Sequence, residues 1–182
     1  RQRSFVEKAL KHSVIIVTLH GGKASCPAFD LLMEALAEIE EETGEKPYLH
    51  IQPTGGDEDS IVAAKDFSPD FGTPAWDRIK KYLGIGGFAN FEQLLYYLCH
   101  HITGQQVVFQ PPIEQRNEGI YHPDFPLDIG LEEYLEKYIN PELPTVGLWF
   151  YQTYWLNNNL AFVDAIIRSV EAHGANIIPV FH

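Results

Sequence analysis

The sequence predicts an α/β protein: a mostly parallel sheet with helices on both faces, followed by the start of a second α/β unit. Two observations carry the prediction. The β-branched run Val14-Ile15-Ile16-Val17 leads into apolar residues at helical spacing and then into a second strand-like run, Pro47 to Gln52. The same strand–helix–strand order returns between Thr145 and Phe181. A continuous apolar strand suits burial on both faces, as in a parallel sheet, and parallel neighbours need a helical crossover.

Taken in order, Arg1 to Lys11 reads as a short amphipathic helix or arm. The strand around Val14 ends at Gly21-Gly22. Phe29, Leu32, Met33, Leu36 and Ile39 then mark one apolar face of a helix, which Gly44 closes as a C-cap. Asp57-Glu58-Asp59 opens a short helix through Ala64. Thr73 and Pro74 have the residue types of an N-cap and first helical position for a helix reaching Leu83. Asn90 to Ile102 reads as another, with Phe91, Leu94, Leu95, Leu98 and Ile102 inward; Val107-Val108-Phe109 reads as a short strand. Gln110 to Gly130 carries four prolines and reads as a functional or connecting loop. Leu131 to Tyr138 is a helix stopped by Asn140-Pro141. The second unit then comprises a strand from Thr145 to Tyr151, a helix from Leu160 to His173 and a strand from Ala175 to Phe181. The expected organisation is a first α/β subdomain with a helical extension over 1–110, a proline-rich connector with a short helix over 111–143, and a truncated second α/β subdomain over 144–182. The general type is flavodoxin-like or Rossmann-like.

Composition removes whole classes of function. With 25 acidic against 13 basic residues the formal charge is −12, which disfavours binding to nucleic acid or to an anionic membrane. No apolar run approaches the roughly 20 residues of a membrane span, and no secretory signal is visible. Cys26 and Cys99 lie far apart, outside any CxxC pair, and read as reduced thiols of a cytoplasmic protein. The chain opens at Arg1 and stops just after a strand-like Pro179-Val180-Phe181, which suggests an excised piece of a longer protein.

Ligands of open α/β sheets gather beyond the carboxyl ends of the strands. His20-Gly21-Gly22-Lys23 resembles an anion-binding turn but lacks the spacing of a P-loop or dinucleotide fingerprint, so a tight turn needing glycine dihedrals is favoured. Asp57-Glu58-Asp59 has hard-cation chemistry, yet acids there complement a helix N-terminus. His100 and His101 diverge by about 100° on a helix and make a poor metal pair; no metal-ligating set is named. His122, in Gly119-Ile120-Tyr121-His122-Pro123-Asp124, sits in an irregular loop, where a functional role and plain backbone bonding weigh equally. Tyr154 and Trp155 are suited to stacking on a flat ligand. No GxSxG, HExxH or Cys–His nucleophile pattern exists.

Four segments in order resemble the N-terminal part of the large subunit of cobaltochelatase and its porphyrin-binding counterpart in magnesium chelatase. They are Leu19-His20-Gly21-Gly22 with Ser25; Lys81-Tyr82-Leu83-Gly84 through Gly86-Gly87 to Asn90; Gly119 to Asp124; and Pro144 to Tyr151, with Asn159, Val163 to Ile167, Glu171-Ala172, Gly174-Ala175 and Ile178 to Phe181. Where that family carries an Arg-Ser pair and a Gly-Asn turn, this chain has Gln152-Thr153 and Asn158-Asn159, which removes a fixed cation. The resemblance implies a ligase of cobalamin or related tetrapyrrole biosynthesis: ATP-dependent insertion of cobalt or magnesium into a corrinoid or porphyrin. It implies that the ring is bound by the large subunit, and that separate AAA+ subunits hydrolyse ATP with Mg. It implies no cofactor bound by this piece and an incomplete active site. His122 and Tyr121, then Gly21 and Gly22, then Tyr154 and Trp155, are the candidates for contact with the tetrapyrrole, a partner or the rest of the subunit. The alternative is a non-catalytic flavodoxin-like ligand-binding or interaction module.

Overall fold

In the computed structural model, which describes residues 1–126 and 129–182, the chain gathers into two units. The first comprises Arg1–Gly84 and Leu94–Phe109, the second Ile85–Gln93 and Gln110–His182.

The first unit is built on a pair of parallel strands, β1 (Val14–Leu19) and β2 (Tyr48–Pro53), in register from Val14 against Tyr48 to Leu19 against Pro53. Its helices are α1 (Gln2–Ala9), α2 (Phe29–Thr43), α3 (Glu58–Phe67), α4 (Pro74–Ile85) and most of α5 (Phe88–Thr103). Strand side chains alternate between faces. Ile15 and Leu19 therefore enter a core with Phe29, Leu32 and Leu36 of α2 and Ala63 and Ala64 of α3, whereas Val14 and Ile16 pack toward Ile79, Leu94 and Leu98 of α4 and α5. Helices thus cover both faces, as the β-branched run predicts. Gly44 caps α2 at φ 73°, a left-handed conformation that costs glycine little. Thr73 accepts the Trp76 N–H through its side chain at 3.3 Å, the expected capping bond.

The second unit carries a three-stranded sheet in the order β3 (Gly119–Ile120), β5 (Asn176–Phe181), β4 (Thr145–Phe150). β4 runs parallel to β5 and β3 antiparallel to it. α8 (Ala161–Ala172) supplies Val163 and Ile167 to one face of β5, beside Ile177 and Phe181. Tyr134 of α6 (Leu131–Tyr138) packs with Ile120 and Ile129 on the other face, toward Ile178 and Val180.

Three sequence expectations need correction. The mostly parallel sheet is two small sheets, one of them mixed. Val107 to Phe109 is not a strand; Phe109 instead sits edge-on to Tyr97, 5.1 Å between ring centres, with Arg78 over its face. The added strand is Gly119–Ile120, too short to show periodicity. Its glycine is required by contact: a Cβ at Gly119 would lie 2.7 Å from the Phe181 ring. Finally, Phe91 and Leu95, placed inward by spacing, are 39% and 67% exposed.

Candidate functional site

The loop that follows β3 lays Tyr121 and His122 against α8. Tyr121 donates from its backbone to Pro179 O at 3.0 Å and from its hydroxyl to Asp164 at 2.7 Å. Burial, then the Asp164 carboxylate, push its hydroxyl up to about 12. His122 is 2% exposed. Its Nδ1 lies 3.2 Å from the Asp124 backbone N–H, which can only donate, so Nδ1 accepts and Nε2 carries the proton of the neutral ring. That Nε2–H points at Glu171 Oε1, 3.2 Å away.

Glu171 is the hub. Oε1 also accepts the Tyr138 hydroxyl at 2.9 Å, and Oε2 accepts Arg168 Nη1 at 2.9 Å. Arg168 turns its other contacts to both oxygens of Asp124 in a bidentate pair. Burial raises the Glu171 carboxyl, but the bonds from Arg168, Tyr138 and His122 together outweigh it and leave it below the ordinary carboxylate range. Arg168 likewise holds Asp124 down through its hydrogen bonds. Phe125, Tyr134 and Tyr138 ring the imidazole, with centroids 5.2, 5.9 and 4.8 Å away.

Ligand-capable atoms of His122, Asp124 and Glu171 all lie within 4.8 Å of one another. Chemically the set suits a divalent ion. Its carboxylates are already neutralised by the Arg168 guanidinium, however, and both imidazole nitrogens are engaged. An ion would have to displace a bidentate arginine, so the arrangement works as a clamp that ties the loop to α8. Glu171 and Arg168 were beyond the reach of sequence reasoning as partners of His122: 49 residues separate His122 from Glu171, and the only local signal is an i,i+3 acid–base pair on one helix.

Beyond the carboxyl end of β4 the expected polar loop is a short helix, α7 (Gln152–Leu156). It brings Tyr154 edge-on to Phe162, 4.8 Å between centres. Trp149, Phe150, Tyr151, Tyr154 and Phe162 line a cavity of about 340 Å³. Trp149 and Tyr151 are each 72% exposed, and among the described residues no charged side chain lines it. Trp155 points elsewhere, stacked on Phe181 at 4.5 Å and 12°. Its face is therefore occupied, while Tyr154 remains at the cavity.

In the first unit, Gly21 and Gly22 adopt φ of 80° and 91°, so the turn does need glycine. Ser25 ties it together by donating to Gly22 O at 2.7 Å. The anion at this turn is internal. Asp57 lies 3.4 Å from where a Gly22 Cβ would be and caps α3 through Ser60 N at 2.9 Å. A phosphate would have to expel it, which removes the footing for a flavin-type module. His100 and His101 diverge as expected: His100 Nδ1 lies 2.7 Å from Gln105 O, and His101 stacks on Tyr97 and pairs with Asp70. Cys26 and Cys99 are free thiols. Among the described residues no helix is long and apolar enough to cross a membrane.

Comparison with known proteins gives one consistent result. The family model described as CobN/Magnesium Chelatase matches residues 80–182. The H component of the magnesium chelatase of Rhodobacter capsulatus is 30% identical over 112 residues, which cover 59% of this chain and 9% of that protein. CobN of the aerobic cobaltochelatase of a Sinorhizobium species is 28% identical over 193 aligned positions, covering 98% of this chain and 14% of the relative. The catalytic subunit of cobaltochelatase from Mycobacterium tuberculosis matches 99% of the chain in structure, with a TM-score of 0.60 and 18% identity, but only 13% of its own length is covered. The chain therefore spans a small part of the length of the relatives it matches.

Proposed function

The chain belongs to the CobN/magnesium chelatase family, and from that premise we propose that it is one lobe of the tetrapyrrole-binding large subunit of an ATP-dependent, cytoplasmic metal chelatase. The subunit's reaction is insertion of a divalent metal, cobalt or magnesium, into a corrinoid or porphyrin, with the energy supplied by separate AAA+ subunits. Insertion requires two pyrrole protons to leave, the ring to bend and the ion to shed water. A lobe can serve these steps without reactive groups by holding part of a flat ring in place.

The observation that carries this role is the aromatic cavity at the end of β4, whose described lining is uncharged. Trp149, Tyr151 and Tyr154 offer π-faces and edges of the kind that flat, apolar ligands use. At about 340 Å³ it takes one edge of a macrocycle, and the remainder of the ring rests on other parts of the subunit. His122 and Tyr121 contribute indirectly, because both are buried: they fix the loop after β3. Gly21 and Gly22 shape the corresponding turn of the first unit.

The test is tetrapyrrole titration of the full-length subunit, followed by ring absorbance and tryptophan quenching. Trp149→Ala and Tyr154→Ala are each expected to weaken the ring's Kd by about tenfold, the scale of one lost aromatic stacking contact. Unchanged affinity in both variants would remove the cavity from the ring-binding surface.

A further inference from the structure

β1 is an edge strand with the composition of a central one. Val14 to Leu19 contains no charge and no proline, although exposed edges are normally blunted by such residues. Its side chains are drawn into cores on both faces, as happens to interior strands of parallel sheets. Among the described residues its only strand partner is β2.

The backbone shows which groups are unused. Tyr48 N–H donates to Ser13 O at 2.9 Å. In a parallel ladder successive residues alternate between neighbours, so residues 13, 15, 17 and 19 face β2, and the N–H and C=O groups of Val14, Ile16 and Thr18 face outward. At this outer edge lies an apolar groove of about 460 Å³, lined by Ser13, Val14, Ile16, Leu95, Leu98 and Cys99 among others. Leu95, exposed against the expectation from helical spacing, forms part of its helix wall.

We propose that the outer edge of β1 is a slot for a further β-strand, supplied by a part of the large subunit outside these 182 residues. Only an extended segment satisfies a row of alternating backbone donors and acceptors while its side chains cover Leu95 and Leu98. The curated relatives of known function leave ample chain to provide it, since this segment covers 9% of one and 14% of another. The source of the strand rests on the family reading; the slot rests on the geometry of the first unit.

Amide hydrogen exchange tests the proposal. In the 182-residue chain, Val14, Ile16 and Thr18 are expected to exchange faster than Ile15, Val17 and Leu19. In the full-length subunit, those three amides are expected to slow by about tenfold, the scale of one added backbone hydrogen bond. Leu95→Glu is expected to leave the unfolding of the 182-residue chain unchanged and to restore fast exchange at the three positions in the full-length subunit. Equal exchange in both lengths, or no response to Leu95→Glu, overturns the proposal. So does a natural polypeptide ending near His182 whose β1 amides exchange freely. Protection that rises with concentration of the 182-residue chain would show that a second copy fills the slot, and would overturn the assignment to the subunit. Failure of the chelatase reading is separate: it would appear as absent tetrapyrrole binding with the strand protection intact.

Discussion

His50 and His122 are buried to nearly the same degree, 0% and 2% exposed, and sit in opposite chemical settings. His122, in the second unit, has an acceptor for one ring nitrogen and a donor for the other, with Arg168 and Tyr138 completing the shell around Glu171. His50, in β2 of the first unit, has Gln52 Oε1 at 3.1 Å on Nε2 and, among the described residues, no partner on Nδ1. Nε2 donates to the amide oxygen, so Nδ1 holds a lone pair that lacks a donor; Trp76, tilted against the ring at 5.6 Å, has an indole N–H that is likewise without a partner among the described residues. Burial lowers its basicity, against opposing contributions from Gln52 and Asp70. A buried histidine is thus a keystone where its surroundings match both ring nitrogens and a liability where they leave one unmatched.

Leucine substitution at each position separates the two cases. His122→Leu fills the volume yet strands the Asp124 N–H and removes a donor from Glu171. Its expected cost is about 3 kcal/mol, the scale of breaking a buried polar network. His50→Leu removes an orphaned nitrogen while freeing Gln52 Oε1, and the two nearly cancel, leaving a change within about 1 kcal/mol. Urea unfolding of both variants measures this. A cost below about 1 kcal/mol for His122→Leu would break the comparison.

Acid distinguishes them next. His50 binds its proton near 6.5 when unfolded and lower when folded. Between those values the unfolded state holds more protons, so stability rises with pH: the contribution is complete above 6.5 and is lost as pH falls below it. The slope is at most about 1.4 kcal/mol per pH unit for a single group. His50→Leu is expected to flatten the unfolding profile of the first unit below pH 6.5. Glu171 is shifted in the sense opposite to a buried unpaired acid. With its folded carboxyl held under the ordinary 4.5, its contribution persists on acidification to about that pH and disappears below it. A profile that His50→Leu leaves unaltered would show that the ring is hydrated in solution.

How far the sequence revealed this depended on the range of the interaction. The helices, both parallel pairs and the glycine turn after β1 follow from local period, capping and β-branching, all of which act within a few residues. The pairing of Gly119–Ile120 with β5 did not, because two residues carry no period and the strand is defined by Val180 and Phe181, about 60 positions away. His122 stood out through its irregular loop, but its opposite number on α8 has no local mark. Tyr154 and Trp155 were equivalent as a polar-aromatic pair. Only the turn into α7 separates them, sending Trp155 onto Phe181 and leaving Tyr154 at the cavity.

The smallest change tests which member of the His122 cluster holds the rest. Tyr138→Phe keeps the ring stacked on Tyr134 at 4.9 Å and beside the imidazole at 4.8 Å, and deletes only the hydroxyl. Burial, then Glu171, push that hydroxyl up to about 12, so it is protonated and donating at neutral pH. Without it Glu171 Oε1 still accepts from His122, and Oε2 from Arg168. No group is stranded, and the expected cost is about 1 kcal/mol, that of one ordinary hydrogen bond. The Glu171 carboxyl loses one of three bonds that lower it, so the acid limb of unfolding moves to higher pH. A cost as large as that of His122→Leu would transfer the keystone role from the imidazole to the tyrosine hydroxyl. A negligible cost with no movement of the acid limb would show that His122 and Arg168 alone hold Glu171.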